Sequence, residues 1–252
     1  NIDTMMDHSF DAPYQTFLDR VRSCFDTEDT DTALSPLSPL YFYPTKYIHI
    51  TVATFHAFTR PKPTSSELET HLIEKCKAIL FRASSTTQQQ HPNDDWPTRP
   101  LQFTVDRAEL HSKAGVLIWK ETTGGMDKIR RCLAHEVRNE EPQQTPKKSN
   151  SESNHSSLIT KTFRTPNIIH STFLRFTKLP KSDAQRVHQK FSHIDVRRIF
   201  QRGQGGSTIN YENTDTDDSN TIITIDANSI RLVRERRPYM HVPNDDRHVM
   251  MT

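Results

Sequence analysis

Two short stretches resemble each other across the chain. Residues 48–55 read IHITVATF and residues 169–176 read IHSTFLRF, and Ile, His, Thr and Phe recur at matching positions with the histidines 121 residues apart. A proline precedes each stretch, Pro44 and Pro166, as at the entry to a strand. Both stretches are apolar and β-branched enough to read as strands, over 47–55 and 168–176. A match at this separation predicts two halves of similar content, each giving one equivalent strand.

The spacing has chemical content. In a strand, residues i and i+2 share a face about 6.5–7 Å apart. His49 and Thr51 are then expected on one face, with Ile48, Ile50 and Val52 on the other. His170 and Thr172 are expected opposite Ile169, Ser171 and Phe173. If the strands face one cleft, two imidazoles and two hydroxyls converge. One imidazole can take a proton from water while the other gives one to a leaving alkoxide. The hydroxyls can hydrogen-bond phosphate oxygens as charge builds on them. A lone H-x-T among 13 histidines carries no such weight; the pair in matching context does.

The rest of the chain fits a mixed fold. Three polar segments, 84–100, 138–157 and 201–220, hold 57 of the 252 residues and read as inserts that bury too little apolar area to order themselves. They explain most of the polar composition behind a mean hydropathy of −0.75. Between them, periodicity predicts helices over 11–25, 65–80, 124–137 and 182–194, the second opened by a Ser66–Glu69 capping box. Strands are expected over 101–110 and 114–121, with two more, TIITID and SIRLVRE, joined by the turn residues 226–228. The class is α+β, in two halves of similar content.

The net charge of +2 gives no electrostatic footprint for duplex DNA. Cys24, Cys76 and Cys132 form no C-x-x-C pair and read as small buried hydrophobes, which fits a reducing compartment such as cytoplasm or nucleus. No apolar run reaches a membrane-spanning length, so no membrane partner is expected, and a monomer is. No signal peptide opens the chain, and its first residue, Asn1, is what a fragment or processed form would show. Tyr43, Tyr47 and Trp119 can stack on a nucleobase, although packing is the plainer role, and Lys46 can steer a phosphate. The basic run 234–241 reads as a solvated tail. HEVRN at 135 has no second histidine four residues on, and TTGGMDK lacks P-loop spacing.

HITV and HSTF resemble the paired H-Φ-[ST]-Φ motifs of the two-histidine (2H) phosphoesterase superfamily, of the LigT-like and cyclic phosphodiesterase type. The resemblance covers most of residues 10–240 outside the inserts. It implies a single bilobal domain over 1–252, with two antiparallel sheets related by pseudo-twofold symmetry, helices outside and a central cleft. It further implies His49 and His170 as the acid–base pair and Thr51 and Thr172 as phosphate anchors, with no metal or cofactor. Similar enzymes often hold an arginine where Arg175 stands, although strand parity points it away from His170. Ser171 is polar where the pattern prefers an apolar residue. The function implied is hydrolysis of 2′,3′-cyclic phosphates on RNA ends or small nucleotides. The same site would also suit RNA 3′-end trimming or 2′,5′-oligonucleotide cleavage. The alternatives of another class are a non-catalytic nucleotide-binding or scaffold module, and an interaction protein driven by the inserts.

Overall fold

A computed structural model describes residues 10–26, 40–56, 65–85, 96–140, 159–176, 181–201, 222–235 and 247–249. The chain is α+β and divides into two compact units, residues 1–50, 102–122 and 168–225 in the first and 51–101, 123–167 and 226–252 in the second.

The first unit is built on a five-stranded sheet in the order β1–β4–β3–β2–β5. Its strands are β1 (Tyr41–Phe42), β2 (Leu101–Leu110), β3 (Ala114–Glu121), β4 (Ile169–Arg175) and β5 (Ile223–Ile225). β1 pairs with β4, β4 with β3 and β3 with β2, all antiparallel. β3 is buried from Ala114 to Trp119, as a near-continuous apolar run predicts for a central strand.

One sheet face is closed by helices. In α1 (Asp11–Ser23), Phe17, Leu18 and Val21 recur at helical spacing, and Pro13 sits in the first turn, where its missing N–H is not needed. Asp11 at the start and Arg20 and Arg22 at the end complement the helix dipole. With α5 (Val196–Gln201) and α4 (Lys181–Ser192), α1 forms an aromatic core. Phe10 lies 5.2 Å from Tyr14, 5.6 Å from Trp119 and 5.5 Å from Phe200, and Phe17 meets Phe173 edge-on at 4.9 Å. Each such pair adds about 0.5–1.5 kcal/mol beyond its buried area. The Tyr14 hydroxyl donates to the Tyr43 carbonyl at 2.7 Å, and burial raises its pKa well above the ordinary tyrosine value despite the opposing charge of Arg22.

Two bulges interrupt the ladders. Val116 pairs with Thr172 and Gly115 with Leu174, so Phe173 is an extra residue on β4. Its ring lies where a Cβ on Gly115 would stand, 2.4 Å away, so only glycine fits. On β2, Val105 pairs with Trp119 and Arg107 with Ile118, which leaves Asp106 as the extra residue.

The second unit centres on α2 (Ser66–Ser85) and α3 (Gly125–Asn139). Leu72, Cys76, Ile79 and Ala83 are buried on α2, and Met126, Ile129, Leu133 and Val137 on α3. Arg82 ties the pair by donating from Nε to Glu136 at 2.8 Å and from its terminal nitrogen to Glu140. Gly124 holds a left-handed φ of 73° ahead of α3, and a Cβ on Gly125 would strike Leu101. A short ribbon pairs β6 (Val233–Glu235) with β7 (Arg247–Val249).

Most expected elements appear, with five corrections. The first motif is not a regular strand: residues 45–47 form a 3₁₀ turn capped by Pro44, and 48–53 carry no ladder. The turn closes through Tyr47 N–H to Pro44 and Ile48 N–H to Thr45, so Pro44 starts a turn and not a strand. The α2 cap is Ser65, whose Oγ accepts from the Leu68 N–H, and Ser66 is already the first residue of the helix. α5 was not expected; its six residues are too few to show a period. TIITID and SIRLVRE are not partners, because β5 joins the large sheet and β6 pairs with β7. The inserts also start later than composition suggests: α2 continues to Ser85, α3 to Asn139 and α5 to Gln201, while Trp96 is buried. Residues 86–95, 141–157 and 202–220 of the inserts, and 236–241 of the basic run, lie outside the described residues. Cys24, Cys76 and Cys132 are buried thiols, and burial pushes Cys76 up to about 12. Among the described residues no helix is long and apolar enough to cross a membrane.

Candidate functional site

β4 presents the second motif as the alternation requires. His170 pairs across with Ile118 and Thr172 with Val116, so the two share a face, while Ile169 and Ser171 pair with Trp119 and Leu117 on the other. The bulge shifts the phase of the residues beyond it. Because Phe173 is extra, Arg175 pairs with Ala114, which is in phase with Val116 and Ile118. Arg175 therefore lies on the face of His170 and Thr172, the reverse of the simple parity count. Its terminal nitrogen points to Thr172 Oγ1 at 3.5 Å. His170 and Arg175 are half-buried, and Thr172 is 6% exposed. The outcome is an imidazole, a hydroxyl and a guanidinium on one face of one strand.

The first motif is held by side chains in place of a ladder. Ser171 Oγ, one residue from His170, donates to the His49 carbonyl at 2.7 Å and accepts from Trp119 Nε1 at 2.9 Å. His49 is half-buried, and its Nδ1 lies 3.1 Å from the Tyr47 carbonyl. A carbonyl only accepts, so Nδ1 carries the proton and, in the neutral ring, Nε2 holds the lone pair.

The division between the units falls between Ile50 and Thr51, inside the motif. In the second unit, Thr51 is half-buried, and the Val52 carbonyl after it accepts from Arg130 Nε on α3 at 3.2 Å. Burial lowers the pKa of Arg130, partly offset by Asp127. Thr54 exchanges both backbone hydrogen bonds with Arg164 at 2.8 Å, and Thr162 Oγ1 donates to the Phe55 carbonyl at 2.6 Å. Ile48 is buried while residues 49–56 are all half-buried, so the expected two-face alternation is absent here.

The candidate stacking residues divide. Trp119 is 4% exposed, closed against Phe10 and bonded to Ser171. A base platform needs an open face, so packing is the role the fold gives Trp119. Tyr43 is buried in the same way. Tyr47 is half-buried in the 3₁₀ turn, with Lys46 Nζ 4.9 Å from its ring centre, so Lys46 is engaged locally.

Ser171 and Arg130 are the residues that sequence reading did not single out for the site. Ser171 carried one signal, a hydroxyl at an apolar position. Arg130 carried none, since one arginine on a helix reads as surface. A groove of about 620 Å³ elsewhere in the first unit is lined by Asp106, Glu109, His111, His188, Asp195 and Arg197 among others, and by none of the motif residues. Its carboxylates are already engaged: Asp106 accepts from Arg107 at 2.6 Å and from Arg197 at 2.8 Å. Among the described residues no group of three or more His, Cys, Asp or Glu side chains is placed to hold a metal ion.

No family model, no curated protein and no solved structure matches this chain.

Proposed function

We propose that the protein is a two-histidine phosphodiesterase that hydrolyses 2′,3′-cyclic phosphates of RNA ends or small nucleotides without a metal. The observation that carries the proposal is the hydrogen bond from Ser171, the neighbour of His170, to the backbone of His49. It ties the backbone of His49 to the strand that carries His170. The pseudo-twofold, two-sheet form of the 2H fold belongs to the same proposal.

In the reaction, one histidine takes a proton from water as its oxygen bonds to phosphorus. The other gives a proton to the ribose oxygen as its bond to phosphorus breaks. The product is a nucleoside monophosphate, and the pair returns to its starting protonation by exchange with solvent. For His49 the proton moves at Nε2, since Nδ1–H is engaged with the Tyr47 carbonyl. Thr172 and Arg175 face the non-bridging oxygens, where added negative charge is stabilised by the hydroxyl and the guanidinium. General acid–base work of this kind is worth about 10²–10⁴-fold in rate.

Adenosine 2′,3′-cyclic phosphate incubated with the protein in EDTA tests the proposal. Turnover to one monophosphate isomer with a bell-shaped pH profile is expected, lost in His49→Ala and in His170→Ala. Silence from folded protein on this substrate, on cyclic-phosphate-ended RNA and on 2′,5′-linked oligonucleotides would overturn it, and activity abolished by EDTA would overturn the metal-independent mechanism. Chain shortening of RNA in place of ring opening would reassign the substrate.

A further inference from the structure

We infer that Ser171 is a positioning residue for His49, a staple from the β3–β4 ladder to a histidine that no ladder holds; this rests on the hydrolase function proposed above. The position is unusual on three counts. It lies in the middle of β4, where packing alone would favour an apolar side chain, and it is 1% exposed. Its hydroxyl is used in both senses, accepting from Trp119 Nε1 and donating to the His49 carbonyl. And the segment it grips, 48–53, has no ladder of its own.

The consequence reaches the imidazole through the backbone. His49 is tied by Nδ1 to the Tyr47 carbonyl, two residues away, so the ring moves with the backbone of 47–49. Ser171 fixes that backbone at the His49 carbonyl, and Trp119 fixes the rotor of the Ser171 hydroxyl. The chain Trp119–Ser171–His49 thus passes the rigidity of a buried ladder to a half-buried ring and selects its Nδ1–H tautomer. Ser171 is also covalently next to His170, so one side chain sets the spacing of the two histidine backbones. The phosphate-facing groups, Thr172 and Arg175, lie on the other face of β4 and are not part of this chain. Loss of the staple should therefore lower kcat and spare KM.

The test compares wild type with Ser171→Ala by two readouts. Nitrogen-15 NMR of the imidazoles reports the His49 tautomer without any substrate, and steady-state kinetics on adenosine 2′,3′-cyclic phosphate reports positioning. Wild type should show the Nδ1–H form of His49. Ser171→Ala should shift it toward a mixture and lower kcat by about 10- to 100-fold, the scale of a small misplacement of a reacting group, with KM within about twofold. Should the alanine variant not fold, Ser171→Cys, similar in shape and a poorer donor, must shift the tautomer in the same direction. An unchanged His49 tautomer in a folded variant overturns the inference, as does a rise in KM with kcat intact. If wild type turns over no phosphodiester yet the tautomer still responds, the staple stands and the hydrolase function falls.

Discussion

The two motif segments carry the same residues in different settings. Residues 169–175 lie inside a sheet with backbone partners on both edges, β3 along their length and β1 at Leu174 and Arg175. Residues 48–53 have no ladder, and are gripped by Ser171 at the His49 carbonyl and by Arg130 at the Val52 carbonyl. The same H-x-T is thus rigid by ladder in one case and by side-chain bonds in the other. A ladder places a side chain through many weak bonds that fail together. A staple places it through a contact at one point, so a single substitution can remove that contact.

The largest effects fall on the histidines. His49→Ala and His170→Ala should each lower kcat/KM by about 10²–10⁴-fold in cyclic-phosphate assays, with little change in melting temperature. Equal losses would show that the two settings position their imidazoles equally well; a much smaller loss at His49 would mark the stapled segment as the looser one. Next comes the bulge that makes β4 differ from a plain strand. Gly115→Ala would drive a methyl into the Phe173 ring and should cost about 1–3 kcal/mol in urea unfolding. If stability does not change, Phe173 does not lie over Gly115 and Arg175 loses its place beside Thr172. Arg175→Gln should then raise KM by about 10-fold or more while melting as wild type does, because a charge-assisted contact to phosphate is worth about 1.5–3 kcal/mol. An unaltered KM would restore the simple parity count, with Arg175 facing away.

The smallest effect concerns the second bulge. Burial of Asp106 works against its ionised form, but hydrogen bonds from Arg107 and Arg197 prevail and hold its carboxyl below the usual range. A folded-state pKa below the unfolded one means stability that is present above the unfolded value and lost as pH falls through the folded one. Melting curves taken from pH 6 downward should therefore show wild type losing slightly more stability than Asp106→Asn below about pH 4. The difference should be small, because the Arg197 side chain is exposed and screened. Identical acid profiles would mean that this bulge, unlike the one at Phe173, carries no energetic weight.

Much of the scaffold was legible because burial imposes a period. Phe17 and Val21 of α1, Leu72, Cys76 and Ile79 of α2, and Leu101, Phe103 and Val105 of β2 report a single buried face each, and each element formed. The errors arose where a local pattern needed a partner to decide it. IHITVATF has every mark of a strand, but strand formation requires a neighbour with matching backbone groups, and Ser171 offers a hydroxyl there instead. Ser65 and Ser66 are chemically alike as caps, and only the geometry of the first turn chooses between them.

The order of residues already names the side chains proposed for the chemistry: two histidines, two threonines and an arginine, with the i, i+2 alternation that puts His170 and Thr172 on one face. It names the class of fold as well, since apolar periodicity is a local property of each segment. The remainder came from contacts between segments. The register of β4 against β3 made Phe173 a bulge and turned Arg175 toward Thr172, and the meeting of Ser171 with His49 joined residues 122 positions apart. Register and long-range hydrogen bonds are properties of pairs of segments, so neither segment encodes them alone.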